Sequence, residues 1–510
     1  MLKKRVYREY FLPGLSGLLI IFSQPPFPFF FLAYVCLVPL LFCLNRDGRK
    51  SDFLYGLKTG IVAYTGIIYW VVIAMNKYGG IDILSSILCM LLLSLYLSIY
   101  LATFTFLISF FDSRLSLPIY LSSPFIWTLL EYLRTFLLSG FPWALIAYSQ
   151  YSFIYLIQVS ALIGPYYMSF LIVLVNCGIY LLLKERLSFF KVPKLAFFLS
   201  SVAVIFIGTL TYGFFRIGLN FDDSTKKNVA LIQASVRQDI KWTEEYKMAS
   251  VQTHMSKSLE TARKADLIIW PETALPYVLE ENIGLLKCIS GFAKYANVPI
   301  LTGALSRDEK GKLYNAAYLF DRYGEIKGIY KKVHLVPFGE YTPLVHYLPF
   351  MENISVSGED FSPGSGHYPL FLPELGEIGV LICYEGIFPH ISRETVKNGA
   401  KVIVNLTNDA WYDKSSAPYQ HFAFYVFRAV ETGRFVVRCA NTGISAIIDP
   451  KGKVVMKTSL FKEETLLGQI SLRSEETLYV KWGDYFIFVI SFTLGGMITY
   501  KLFPHKKLRK

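Results

Sequence analysis

Apolar stretches of membrane-spanning length recur through the first 218 residues, and one more lies near the end of the chain. They run near 9–24, 27–45, 52–75, 82–111, 116–138, 151–183, 195–217 and 484–503. A crossing takes about 20 predominantly apolar residues, so the pattern predicts a membrane α-helical bundle of about eight transmembrane helices. Pro13 and Gly14 interrupt the first stretch. The 82–111 and 151–183 stretches exceed a straight crossing, which predicts tilt or extension past the bilayer. Only 17% of the residues are charged. A soluble domain carries roughly 25%, so part of this chain is expected to be solvated by lipid.

Basic residues set an orientation. Met1-Leu-Lys-Lys-Arg-Val-Tyr-Arg8 precedes the first run. Ser23-Gln-Pro-Pro-Phe-Pro28 then leads into the second with no small-residue cleavage site, so this end is expected to be retained. Arg46, Arg49 and Lys50, then Arg114, then Lys184, Arg186, Lys191 and Lys194 fall in alternate loops. The intervening loops carry Lys77 and little else. By the positive-inside rule both termini, including His505-Lys-Lys-Leu-Arg-Lys510, are expected in the cytoplasm, and the long segment before the last run outside it. The same clustering accounts for the net charge of +13, so nucleic acid is not an expected partner. The seven cysteines show no CxxC spacing, and neither a disulfide framework nor a metal site is expected. Glu131 and Arg134, three apart within the fifth run, are either an intramembrane functional pair or a helix-surface ion pair near the interface. Gly140-Phe-Pro-Trp143 falls on the outer side, where a tryptophan often serves as an anchor.

Composition changes at about Leu219. The chain reads as 1–218 (seven spans), 219–480 (an extracytoplasmic domain) and 481–510 (the last span and a basic tail). Within 219–480, β-branched runs alternate with amphipathic patterns, which predicts one α/β domain. Expected strands are Val229–Val236, Asp266–Trp270, Val298–Ala304, Leu313–Phe320, a strand around Gly324–Tyr330, Ile378–Cys383, Val402–Asn405, Phe435–Cys439, Ile444–Ile448 and Leu466–Ser471. Expected helices are Trp242–Lys264, Gly284–Ala296, Ile387–Asn398 and Ala417–Thr432.

Three chemically apt side chains follow strand-like runs: Glu272 after Leu267-Ile-Ile-Trp270, Lys332 after the strand ending near Tyr330, and Cys383 after Val380-Leu-Ile382. A thiol nucleophile needs a base for its proton and a positive charge for the oxyanion. Glu, Lys and Cys supply those functions, and no histidine is expected among them. Each also has a plain structural reading: a core cysteine, a glutamate cap, a solvated Lys331-Lys332 pair.

Trp270-Pro-Glu-Thr-Ala-Leu-Pro276, Lys332-Val-His-Leu-Val-Pro-Phe-Gly-Glu-Tyr341 and Ile382-Cys-Tyr-Glu385 resemble the motif set of the nitrilase (carbon–nitrogen hydrolase) superfamily. Joined to a multi-span half with Gly140-Phe-Pro-Trp143, the chain resembles the apolipoprotein N-acyltransferase family of bacteria. The resemblance implies an αββα sandwich for the outer domain. It implies Glu272 as general base, Lys332 as oxyanion stabiliser and Cys383 as nucleophile. Lys332 is preferred to Lys331 because it matches the family's eight-residue spacing to Glu340. Supporting or substrate-binding roles are implied for Glu340, Asn315, Tyr384, Glu385, Trp411 and Trp143. Trp411 has a core-aromatic reading as well, and Glu385 one as a structural hydrogen-bond acceptor.

The implied reaction passes an acyl chain from a phospholipid, through a cysteine thioester, to the amine of an S-diacylglyceryl cysteine on an apolipoprotein. No cofactor is implied. The implied place is a bacterial inner membrane, with the catalytic domain in the periplasm. A lid over Leu344–Phe350 is one expectation for its apolar surface, an ordinary packed loop the other. A membrane-tethered amidase with the same triad, and a transporter or receptor with a ligand-binding outer domain, remain open at this point.

Overall fold

A computed structural model describes residues 7–45, 49–185, 192–220, 225–239, 241–343 and 359–503. The expected lid at Leu344–Phe350 lies outside the described residues, as do Arg46, Arg186, Lys191 and the tail from His505. The chain divides into two compact units. Residues 1–72, 83–218 and 482–510 form one, and 73–82 with 219–481 form the other.

The first unit is helical: α1 (Leu12–Ser23), α2 (Arg49–Ile68), α3 (Ile83–Leu115), α4 (Ile119–Arg134), α5 (Tyr166–Glu185), α6 (Pro193–Gly218) and a last helix, Tyr485–Leu502. Run length alone predicts eight spans. Among the described residues, α3, α5, α6 and Tyr485–Leu502 are long and apolar enough, and a fifth joins them if the 45° bend between Lys50–Ile68 and Trp70–Tyr78 falls within one span. Proline and glycine mark some of the breaks. The 27–45 run becomes the 3-10 turn Phe30–Tyr34 and the short helix Val38–Cys43, with Pro39 in its first turn. The 151–183 run breaks into Ile154–Ile157, Ser160–Ile163 and α5, around Gly164-Pro165. Helix α4 keeps only 16 residues.

Glu131 and Arg134 are buried rather than set on a helix surface. Glu131 Oε1 accepts from the Ile146 N–H at 2.9 Å, and Arg134 donates to the Trp143 carbonyl at 3.4 Å and the Tyr64 hydroxyl at 2.5 Å. Three residues apart on one helix face, they hold the loop after α4. Trp143 is 1% exposed and packs on Trp70, ring centroids 4.7 Å apart.

In the second unit the strands are β1 (Lys226–Gln233), β2 (Leu267–Ile269), β3 (Leu275–Val278), β4 (Ile300–Arg307), β5 (Leu313–Phe320), β6 (Ile326–Lys331), β7 (Leu370–Leu372), β8 (Gly376–Ile382), β9 (Val402–Thr407), β10 (Val436–Ala440), β11 (Ala446–Ile448), β12 (Val454–Lys457) and β13 (Glu464–Ser471). Among the described residues they form a seven-stranded sheet, ordered β13-β1-β2-β4-β5-β6 with β3 beside β4, and a six-stranded sheet, ordered β12-β11-β10-β9-β8-β7. Successive side chains alternate faces along a strand. Val229 and Leu231 therefore join Leu267, Ile269, Val380, Ile382, Val404 and Val437 in the core between the sheets. Ala230 and Ile232 face outward, in a second core with Val251 of α7 (Glu244–Thr261) and Ile289 and Phe292 of α8 (Ile283–Ala296). Helices α9 (Pro389–Lys397) and α10 (Ala417–Thr432) pack on the other sheet. The layers run αββα, as expected.

Register decides where the chemistry falls. Strands β1, β2 and β4 are parallel in one sheet, and β8, β9 and β10 in the other. Ile382 pairs with Leu406, and Arg438 with Asn405. The carboxyl ends of these strands therefore share an edge, the usual location of a site in α/β folds.

Candidate active site

Three strand ends converge. Strand β2 runs into Trp270-Pro-Glu272, β6 into Lys332 and β8 into Cys383. The close approach of the glutamate turn to β4 requires glycine. A Cβ at Gly303 would stand 2.5 Å from Thr273 N and 2.7 Å from Glu272 Cα, so no larger residue fits there.

Lys332 is 1% exposed, and its ammonium lies 2.8 Å from Glu340 and 3.9 Å from Glu272 Oε1. Asn315, on β5, donates through Nδ2 to Glu272 at 2.8 Å and to Glu340 at 2.9 Å. Its backbone carbonyl also accepts from the Lys332 N–H at 2.8 Å, which sets the lysine's height along the sheet. Glu340 in turn accepts from the Val336 N–H at 2.8 Å.

The electrostatics follow from this packing. Burial pushes the Glu272 carboxyl above its usual range, with help from Glu340 and against Lys332 and Asn315. Burial alone would lower Lys332, but Glu340 and Glu272 outweigh it and hold the ammonium charged. Burial, reinforced by Glu272, pushes the Cys383 thiol up, with Lys332 opposing. The resting proton therefore sits on sulfur, beside a carboxylate made more basic than usual.

Cys383 has a positive φ of 50°, a conformation rarely held without reinforcement by its surroundings. Here Glu385 and α10 supply it. The buried Glu385 carboxylate accepts from the N–H groups of Ile382, Val333 and His334 at 2.7, 2.7 and 3.1 Å, and from the Tyr330 hydroxyl. It thus ties the cysteine turn to the lysine segment, which is the structural-acceptor reading of this residue. On the other side, the Tyr425 hydroxyl donates to the Cys383 carbonyl at 2.8 Å, and His421 Nε2 lies 3.3 Å from that oxygen. Tyr384 is buried, its ring 5.2 Å from that of Phe388. Trp411 is partly exposed and meets Tyr78 edge-on at 6.2 Å, while Lys77 pairs with Asp413.

A histidine also stands behind the cysteine turn, at the Cys383 backbone carbonyl. His421 Nδ1 contacts Asp409 at 2.9 Å, and Arg438 meets the other Asp409 oxygen at 2.7 Å, all three fully buried. Burial works against the Asp409 charge, but Arg438 and His421 hold its carboxyl well below the usual range. Strand-end logic could not find these residues. The one signal lay in Arg438, set inside the wholly buried strand β10, since arginine is almost never fully buried unless paired. Removing the cation leaves a buried carboxylate exposed to its full desolvation cost. R438M is expected to lose about 3–5 kcal/mol of stability, read from denaturation midpoints against wild type, and an unchanged midpoint would refute the network's structural role. No group of three or more His, Cys, Asp or Glu able to hold a metal ion occurs among the described residues.

The sequence matches the carbon-nitrogen hydrolase family over residues 228–478 and the apolipoprotein N-acyltransferase N-terminal domain over residues 16–178. The apolipoprotein N-acyltransferase of Geobacter metallireducens is 37% identical over 484 residues, covering 94% of this chain and 92% of that protein. The enzyme of the same name from Haemophilus ducreyi is 30% identical over 490 residues, covering 94% of each. Among solved structures, a carbon-nitrogen hydrolase from Helicobacter pylori G27 aligns with a TM-score of 0.40 at 17% identity, over 51% of this chain and 94% of its own.

Proposed function

Because this chain belongs to the apolipoprotein N-acyltransferase family and carries a carbon–nitrogen hydrolase domain, we propose that Glu272, Lys332 and Cys383 perform lipoprotein N-acylation in two half-reactions. The observation that carries this reading is the buried Lys332 ammonium, held by Glu340 and 3.9 Å from Glu272, its charge favouring the thiolate of Cys383.

In the first half-reaction Glu272 takes the thiol proton while Sγ attacks the sn-1 ester carbonyl of a phospholipid. Lys332 faces the developing oxyanion. The ester C–O bond breaks, Glu272 returns the proton to the departing alkoxide, and a lysophospholipid leaves. In the second, the α-amine of an S-diacylglyceryl cysteine attacks the thioester and gives a proton to Glu272. The C–S bond then breaks, and that proton restores the thiol. Two substrates using one acyl-enzyme give ping-pong kinetics. Glu340 fixes the lysine, and substrate contact is the role assigned to Tyr384 and Trp411 in this reading.

Both substrates are lipid-anchored, which favours this reading over a tethered amidase, since an anchor alone would not call for four or five apolar helices. The alternation of basic loops supports an orientation with residues 219–480 outside the cytoplasm and both termini inside, in a bacterial inner membrane.

The test is intact mass after incubation with phosphatidylethanolamine. One fatty acyl adduct, sensitive to hydroxylamine and discharged by a diacylglyceryl-cysteine peptide, is expected. No adduct on folded protein would refute the phospholipid donor. E272Q, which keeps the shape and removes the base, should form the adduct about 10²–10⁴-fold more slowly, and an unchanged rate would remove Glu272 from its role.

A further inference from the structure

A second lysine touches the Glu272 turn. Lys241 is 1% exposed, and its ammonium donates to the Glu272 backbone carbonyl at 3.2 Å and to the Thr273 hydroxyl at 2.5 Å. Thr273 has a φ of +47°, where a β-branched residue is a true outlier. The turn that presents the base is therefore strained, and Lys241 bonds to both residues at the strain.

Lys241 is itself tied to the opposite sheet. Its segment leaves β1, and the Val236 N–H donates to Asn441 Oδ1 at 2.9 Å while Asn441 Nδ2 returns a bond to the Val236 carbonyl at 2.7 Å. Gln238 Oε1 accepts from Asn408 Nδ2 at 2.7 Å. Asn408 and Asn441 follow β9 and β10, which belong to the sheet whose strand β8 ends at Cys383. Base and nucleophile thus come from different sheets, and this segment spans the gap between them.

We propose that Lys241 is a positioning residue that fixes Glu272 relative to Cys383 and lends the base a second neighbouring positive charge. The proposal rests on Glu272 acting as the base. Among the described residues, the charged and titratable groups acting at this point are Lys332, Glu340, Cys383 and Tyr412 on the Glu272 side, and His254 from α7 on the Lys241 side. Burial lowers His254 to about 4, leaving it neutral. Burial also draws Lys241 down to about 8, with Glu272 opposing the shift. The lysine is therefore a cation at neutral pH, and its charge lowers the Glu272 carboxyl. Without that charge the carboxyl rises, so the pH at which Glu272 becomes an active base rises with it.

The experiment measures the rate of hydroxylamine-sensitive acyl-adduct formation against pH in full-length protein, for wild type, K241M, K241Q and E272Q. K241M removes both bonds and the charge, whereas K241Q keeps a donor and removes only the charge. Both variants should move the acid limb to higher pH. K241M should also lower the plateau by about 100-fold, the scale of a misplaced catalytic group, with a smaller loss in K241Q. A wild-type limb in folded K241Q overturns the proposal, and so does unfolding of both lysine variants, which would make Lys241 purely structural. Full activity in E272Q instead overturns the base assignment, so the two failures are distinguishable.

Discussion

C383A will form no hydroxylamine-sensitive acyl adduct from phosphatidylethanolamine, while its melting temperature stays close to that of wild type. When catalytic groups act as a unit, losing the nucleophile costs about 10⁶-fold, so the adduct should vanish from any practical time course. The fold should hardly register the change. Alanine is no worse than cysteine at the φ of 50°, and the Tyr425 bond to the residue 383 carbonyl and the Glu385 bonds to neighbouring amides do not involve sulfur. C383S is the sharper companion. It keeps the shape but offers an alcohol far less acidic than a thiol, which a carboxylate base cannot activate well. A hydroxylamine-labile adduct surviving in C383A would place the acyl group on another residue and end the cysteine mechanism.

K332M should abolish the adduct and also destabilise the protein, in a manner that depends on pH. Lys332 sits between two buried carboxylates, 2.8 Å from Glu340 and 3.9 Å from Glu272. Taking the ammonium away leaves Asn315 as their shared donor. Breaking a buried pair in this way costs about 3–5 kcal/mol. The sign with pH is fixed by linkage. Glu272 is already raised in the folded state, and losing Lys332 raises it further, so the folded state holds its proton more firmly than the unfolded chain does. Stability is therefore lost as pH climbs through the carboxylate range and recovered as it falls. Melting curves at pH 5 and pH 8 should show the deficit of K332M growing at the higher pH. An equal deficit at both would mean that packing, not charge, is the lysine's contribution.

The site residues most open to sequence reading are those that end buried strands. Glu272, Lys332 and Cys383 each follow an apolar run, so both their chemistry and their place at the carboxyl ends of strands could be inferred together. Strand β5 and helix α10 start and stop where their patterns do, because each is buried along nearly its whole length. Strands β7 and β12 gave no such signal: one is three residues long, the other mostly exposed. Lys241, Asp409, His421 and Arg438 escaped for another reason. Their partners lie far along the chain, as with Asp409 and Arg438, 29 residues apart, and a polar side chain does not announce which distant residue it will meet. The helical unit shows the opposite failure. Hydropathy reports where lipid solvates the chain but not where Gly164-Pro165 ends one helix or Pro39 starts another.

The catalytic fold is not a cassette. Its unit takes ten residues, Ile73–Asp82, from between two helices of the other unit, and the rest from Leu219–Lys481. Recombination that moved residues 219–481 into another gene would leave Lys77 and Tyr78 behind, and with them the partner of Asp413 and the ring that meets Trp411. Inheritance of the two halves is therefore coupled. A lineage that swapped its membrane part would have to rebuild this short piece before the transplanted α/β unit regained all of its own contacts.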